Sequence, residues 1–131
     1  MIVVDASAVL EFLLQTPLGV RVEDRLFRRD DEFHVPHLLD VEVVQGLRRL
    51  VRTGEVSASR ATEAITDLNE LDLHRHAHLD LLGRAWKLRD NLSAYDAMYV
   101  ALAEAINASI VTCDAALSKA PGRRATIELI D

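Results

Sequence analysis

The sequence predicts an α/β fold in which a parallel sheet lies between layers of helix. Three observations carry that expectation. Two short runs, Ile2-Val3-Val4 and Ser109-Ile110-Val111-Thr112, are β-branched and almost wholly apolar, as strands buried on both faces are. The segments between them carry apolar residues at helical spacing. An acid lies just beyond each run, Asp5 after the first and Asp114 after the second. In open α/β sheets, ligands gather beyond the carboxyl ends of the strands, where strand order reverses.

Taken in order, Ile2 to Val4 forms the first strand, Ser7 caps a helix, and Ala8 to Leu14 supplies its apolar side. Pro17 and Gly19 punctuate a loop before a helix carrying Val20, Val22, Leu26 and Phe27. Phe33 to Val35 reads as a second strand, closed by Pro36. A long amphipathic helix runs from His37 toward a stop at Gly54. Ser57 opens another helix, Leu71 to His74 reads as a third strand, and Ala77 to Asp90 is helical in pattern. Ser93-Ala94-Tyr95-Asp96 has the form of a capping box opening the apolar helix Ala97 to Ile106. After the Ser109 strand, Asp114 caps a short helix, Pro121-Gly122 turns, and Thr126 to Ile130 closes the chain as a strand. No repeat, low-complexity segment or internal linker interrupts residues 1–131, so one domain is expected.

Composition narrows the function classes. Half of the residues are hydrophobic, enough for a core without disulfides. Cys113 is the only cysteine, which excludes an internal disulfide framework and a multi-cysteine zinc site and fits a reducing cytoplasm. The first residues lack the pattern of a secretory leader, and no apolar run reaches the ~20 residues that span a bilayer, so no membrane partner is expected. Fifteen basic against twenty-one acidic residues give a formal charge of −6, which opposes unaided attraction to a phosphate backbone. Bound divalent cations reverse that sign locally if carboxylates converge.

Four acids are candidates for such convergence: Asp5, Glu42, Asp96 and Asp114. Glu42 interrupts an otherwise apolar helix start between Val41 and Val43, and a carboxylate among hydrophobic residues is costly to bury unless paired, hydrogen-bonded or on a metal. Each also has a plain structural reading: Asp96 as part of a capping box, Asp114 as an N-cap, Asp5 as a polar strand end, Glu42 on a solvent face. Drawn together they would repel, so the set makes sense with a hard, oxygen-preferring cation, Mg²⁺ or Mn²⁺.

The blocks Met-Ile-Val-Val-Asp-Ala-Ser-Ala-Val at the start, Pro36 to Leu50 around Glu42, Leu92 to Ala103 with its Ser-Ala-Tyr-Asp, and Ile110-Val111-Thr112-Cys113-Asp114 resemble the PIN domains of VapC toxins. The resemblance spans nearly the whole chain in the right order, and the Ser-Ala-Tyr-Asp block is its most specific part. It implies a three-layer α/β/α sandwich with a central five-stranded parallel sheet. It also implies a homodimer and a metal-dependent endoribonuclease acting on RNA, blocked by a cognate VapB-like antitoxin in a toxin–antitoxin hetero-oligomer. Asp5, Glu42, Asp96 and Asp114 match the family's acidic site residues, and Ser7 and Thr112 match its polar helpers. Gln45 stands where the family often has Asn, a longer amide that departs from the pattern. Among the four acids, Asp5 and Asp96 are the leading metal ligands, with Glu42 and Asp114 binding directly or through water. One or two cations on such a cluster suit hydrolysis of phosphodiesters by ionised water, with no covalent intermediate.

Weaker signals remain. Arg48, Arg49 and Arg52 follow Glu42 on its helix and are candidates for RNA phosphate contacts, or form a solvated face. His74, His76 and His78 alternate, so on an extended segment they project to one side and could bind zinc, although a polar edge is the commoner outcome. Trp86 and Tyr99 read as core or dimer-contact residues. Two rival classes are a receiver-like phosphoacceptor domain, which needs a lysine at a late strand tip where only Lys87 and Lys119 are available, and a catalytically silent PIN-like interaction module.

Overall fold

The computed structural model describes residues 1–131. Its thirteen elements include five strands: β1 (Ile2–Val4), β2 (Phe33–Pro36), β3 (Leu73–His76), β4 (Ser109–Thr112) and β5 (Ile127–Leu129). Seven α-helices connect them: α1 (Ala6–Leu14), α2 (Pro17–Phe27), α3 (Leu38–Arg52), α4 (Ala58–Glu70), α5 (Leu82–Lys87), α6 (Ala94–Ile106) and α7 (Ala115–Lys119). A single 3₁₀ turn, Leu79–Leu81, precedes α5.

All strand pairs are parallel, in the order β3-β2-β1-β4-β5. The chain builds outward from β1 through β2 to β3, then returns to the other side of β1 for β4 and β5. Strand order therefore reverses between β1 and β4, whose register pairs Val4 with Val111. This is the crevice where α/β sheets place their ligands. Every residue of β1, and Ile110 to Thr112 of β4, is buried, so helices cover the sheet on both faces in three layers. A core of 29 buried residues is drawn mainly from these strands and from the inward faces of α1, α3 and α6. No helix is long and apolar enough to cross a membrane.

Local chemistry explains several boundaries. Helix α1 starts two residues earlier than Ser7 capping would allow, because Asp5 is the cap: its carboxylate accepts from the Ala8 amide. Pro17 opens α2 rather than a loop. Its missing N–H falls where a helix start leaves amides unpaired anyway, and Thr16 caps Gly19. A Cβ on Gly19 would sit 1.9 Å from the Glu11 carbonyl oxygen, so only glycine lets α2 cross α1 this closely. Gly54 ends the α3 region in the left-handed conformation, φ +79°. Strand β3 lies two residues beyond the expected Leu71–His74, and the predicted Ala77–Asp90 helix contracts to the 3₁₀ turn and α5. His78 thus falls outside the strand, and the alternating histidine triple does not form one face.

Candidate active site

The site begins with Asp5, 4 % exposed at the end of β1. Its Oδ1 accepts from the Ser7 hydroxyl at 2.7 Å and the Ala8 amide at 3.0 Å, and its Oδ2 accepts from the Thr112 hydroxyl at 2.5 Å. Thr112 belongs to β4, so this last bond ties the two strand ends across the reversal point. Ser7 completes the tie: its Oγ lies 3.2 Å from Thr112 Oγ1 and accepts from the Cys113 amide at 3.0 Å. Thr112 Oγ1 in turn accepts from the Asp114 amide at 2.9 Å. The two hydroxyls therefore orient Asp5 and position the start of the Asp114 segment.

Asp114 caps α7, taking the amides of Ala116 and Leu117 on Oδ1. Asp96 lies in the first turn of α6, where the Ser93 hydroxyl accepts from its amide at 3.1 Å, and the Ser93 side chain is also what draws its carboxyl downward. Glu42, half-buried on α3, accepts from the Tyr99 hydroxyl at 2.6 Å. Tyr99 stands one turn beyond Asp96 on the same face of α6, which brings α3 and α6 together over the strand ends.

These side chains share one cleft of about 300 Å³, lined by Asp5, Ser7, Glu11, Glu42, Arg49, Asp96, Tyr99 and Asp114 among others. Burial is the main force holding the carboxyls of Asp5, Glu42 and Asp96 above their ordinary range. Mutual repulsion adds to it: Asp114 acts on Asp5 and Asp96, Asp5 on Asp96 and Glu42, and Asp96 on Glu42. The hydroxyls of Thr112 and Ser7 on Asp5, of Tyr99 on Glu42 and of Ser93 on Asp96 pull the other way. Burial and the neighbouring Glu42 push the Tyr99 phenol far upward, so it stays a donor. Burial and Asp5 push the Cys113 thiol up to about 12, which removes it as a nucleophile.

The donor set is all oxygen, the chemistry that hard divalent cations require. The carboxylates ring the cleft without three of them closing on one point. Asp5 is fixed by hydrogen bonds to both of its carboxylate oxygens, whereas Ser93 alone among the side chains steadies the carboxylate of Asp96.

The structure brings Asp5, Glu42, Asp96 and Asp114 together, with Ser7 and Thr112 beneath Asp5. Of the three arginines after Glu42, Arg49 lines the cleft, while Arg48 and Arg52 point to solvent outside it. Helical geometry sets this: Gly46 and Arg49 follow Glu42 at four and seven residues. Gln45, three residues on, is exposed and forms no part of the lining. Tyr99 is buried as expected of a core residue, yet its hydroxyl belongs to the site. Nothing in the sequence alone separates those roles, because the partner carboxylate is 57 residues away. Trp86 is 68 % exposed, with the Arg89 guanidinium 4.6 Å above its ring.

A parallel sheet whose reversal point carries acids from three helices and two strand ends defines an acid-cleft α/β protein, a class suited to metal-assisted chemistry on phosphates. The PIN domain family model matches residues 2–123. Ribonuclease VapC9 of Mycobacterium tuberculosis is 44 % identical over 118 residues, covering 90 % of this chain and 89 % of its own. Ribonuclease VapC12 of the same organism is 36 % identical over 130 residues, covering 99 % of each. Among solved structures, VapBC2 from Rickettsia felis, bound to a DNA fragment from its promoter, superposes with a TM-score of 0.71 at 14 % identity, covering 100 % of both chains. VapC20 of M. tuberculosis, a sarcin–ricin loop cleaving toxin, gives 0.68 at 15 %, covering 90 % of this chain and 93 % of that one. The chain belongs to the PIN-domain family, in its VapC branch.

Proposed function

We propose that this protein is a divalent-metal-dependent endoribonuclease, the toxin half of a toxin–antitoxin pair, acting in the cytoplasm as a single PIN domain. One observation carries the reading: four carboxylates from distant parts of the chain line one cleft at the strand-order reversal, where burial and acidic neighbours push those of Asp5, Glu42 and Asp96 above their ordinary range. Relatives of this similarity and coverage are ribonucleases.

Asp5 and Asp96 hold the cation, Asp5 because its hydrogen bonds fix its direction, Asp96 because burial and the neighbouring Asp114 and Asp5 leave its charge uncompensated. Mg²⁺, with Mn²⁺ as a substitute, supplies a compact positive charge that draws in the phosphodiester and favours ionisation of water. Tyr99 pins Glu42 Oε1, and Glu42 and Asp114, which both line the cleft, orient the attacking water. Arg49 receives a substrate phosphate, offsetting the acidic wall. Lys87 and Lys119 line no part of the cleft, so a phosphoacceptor site of the receiver kind lacks its lysine. The partners are RNA, a VapB-like antitoxin that blocks the cleft, and a second copy of the chain.

The test is cleavage of structured RNA in Mg²⁺, Mn²⁺ or EDTA by wild type, Asp5→Ala and Asp96→Asn. Cleavage with either metal, none in EDTA, and a fall of about 10²–10³-fold in each variant are expected. Activity that survives both substitutions overturns the assignment.

A further inference from the structure

We propose that Glu32, His34 and His74 form a second cation site, for Zn²⁺ or a similar borderline transition ion, at the β2–β3 edge of the sheet. It shares no residue with the acid cleft and stands independently of the nuclease reading.

Strand geometry assembles it. Period-two alternation puts Glu32 and His34 on one face of the segment entering β2, and the parallel register sets His34 directly opposite His74. The two imidazoles stack with centroids 4.7 Å apart and planes 18° from parallel. His34 is the anchor, only 7 % exposed, with its Nδ1 2.8 Å from His76 Nε2. Its other nitrogen, Nε2, is buried without a hydrogen-bond partner. A buried polar atom left unmatched is costly, and this one faces a carboxylate.

The spacing suits a metal better than a hydrogen bond. His34 Nε2 lies 3.5 Å from Glu32 Oε1, and His74 Nε2 lies 3.7 Å from Glu32 Oε2. Ligands on a tetrahedral zinc at ~2.0–2.1 Å stand roughly 3.3–3.4 Å from one another. The groups do not close around an ion as they stand, because the lone pairs of two stacked imidazoles lie in separate, near-parallel planes, so His74 must turn out of the stack for both rings to meet one ion. The side chains that must move are the free ones, however, Glu32 being 59 % and His74 47 % exposed. In this arrangement His34 Nδ1–H donates to His76 Nε2, the outer contact that fixes a ligating histidine's tautomer. Two imidazoles and one carboxylate select Zn²⁺ over Mg²⁺, which prefers oxygen alone. Bound there, the ion staples edge strand β3 to β2.

The test titrates Zn²⁺ and Co²⁺ into the untagged full chain in excess Mg²⁺, comparing wild type with His74→Ala, Glu32→Gln and Asp96→Asn. The first two substitutions alter exposed side chains and leave buried His34 in place. Expected are one Zn²⁺ per chain that Mg²⁺ does not displace, intense visible Co²⁺ bands of low coordination number, and a Zn²⁺-dependent rise in Tm. His74→Ala and Glu32→Gln each weaken Zn²⁺ by at least the roughly tenfold that losing an outer partner costs, and abolish the Tm rise. Asp96→Asn changes none of these. Equal Zn²⁺ affinity in wild type and the two edge variants, loss of binding in Asp96→Asn, or no binding in excess Mg²⁺ overturns the site.

Discussion

Helix α6 begins in one cleft and ends in another of similar size, about 300 Å³ around Asp96 and about 250 Å³ around Glu104. Both clefts hold a partly buried acid, and the two acids are treated in opposite ways. No cation pairs with Asp96, and burial together with Asp114 and Asp5 outweighs the Ser93 side chain and pushes its carboxyl upward. Burial pushes on Glu104 as well, but Arg84 grips both its oxygens at 2.6 and 3.1 Å and the Arg124 amide donates at 2.6 Å, which holds it below its ordinary value. The helix dipole sharpens the contrast, since it favours an acid in the first turn and disfavours one near the last by several tenths of a kcal/mol. A paired acid serves stability, whereas an unpaired acid in a crowd of its own sign is held ready for a cation.

The largest expected effect comes from removing the charge at the uncompensated end. Asp96→Asn lowers cleavage by about 10²–10³-fold. In EDTA the same variant melts higher than wild type, because it relieves repulsion from Asp5 and Asp114. Differential scanning calorimetry in EDTA checks this; a lower Tm shows that the cleft acids do not oppose one another in the free protein.

At the compensated end the signs reverse. Arg84→Met leaves Glu104, whose side chain is 12 % exposed, with one backbone donor, at a cost of about 1–3 kcal/mol in urea unfolding and with cleavage unchanged. Adding Glu104→Gln recovers part of that loss; no recovery means that Arg84 acts through packing alone. Proton linkage separates the two ends further. Glu104 and Glu128 sit below their ordinary values, Glu128 through its bonds to Arg25, so their contribution is present above the unfolded carboxylate range and is lost as pH falls through the folded values. Asp5, Glu42 and Asp96 sit above theirs, so their cost grows as pH rises through that upper range and is relieved on acidification. Urea unfolding in EDTA should therefore show stability falling on the acid side of pH ~4.5. That limb is shallower in Arg84→Met, and an unchanged limb refutes the Glu104 assignment.

What could be read along the chain follows the same division between local and distant partners. Strands β1 and β4, the Ser57 and Ser93 caps and the acids just beyond each strand are written in a few consecutive residues, and the structure has them in place. Where the partner is remote, the sequence is mute. Ser7 reads as a cap but bonds Asp5 and the Cys113 amide, because Asp5 takes the capping role itself. Gln45 is named by resemblance to the family, yet helical phase turns it to solvent and puts Gly46 and Arg49 in the cleft. His34 lacks the local alternation of His74 and His76, and parallel pairing alone sets it against them. Tyr99 sits in an apolar run that gives no hint of a carboxylate on another helix.

That last bond yields the smallest effect and the finest test of the contrast between the two ends of α6, since through Tyr99 the helix itself donates to a cleft acid on another helix. Tyr99→Phe keeps the buried ring and removes one donor to Glu42, which half-exposure lets water partly replace, so about 1 kcal/mol is lost. If the hydroxyl orients Glu42 for the cation, Mn²⁺ affinity read by electron paramagnetic resonance falls roughly fivefold, the equivalent of that energy. In a Glu42→Gln background the same substitution then has no further effect on Mn²⁺, because the pair acts as a unit. A fall in stability with unchanged Mn²⁺ affinity would assign Tyr99 to the core alone, and Glu42 would owe its direction to the packing of α3.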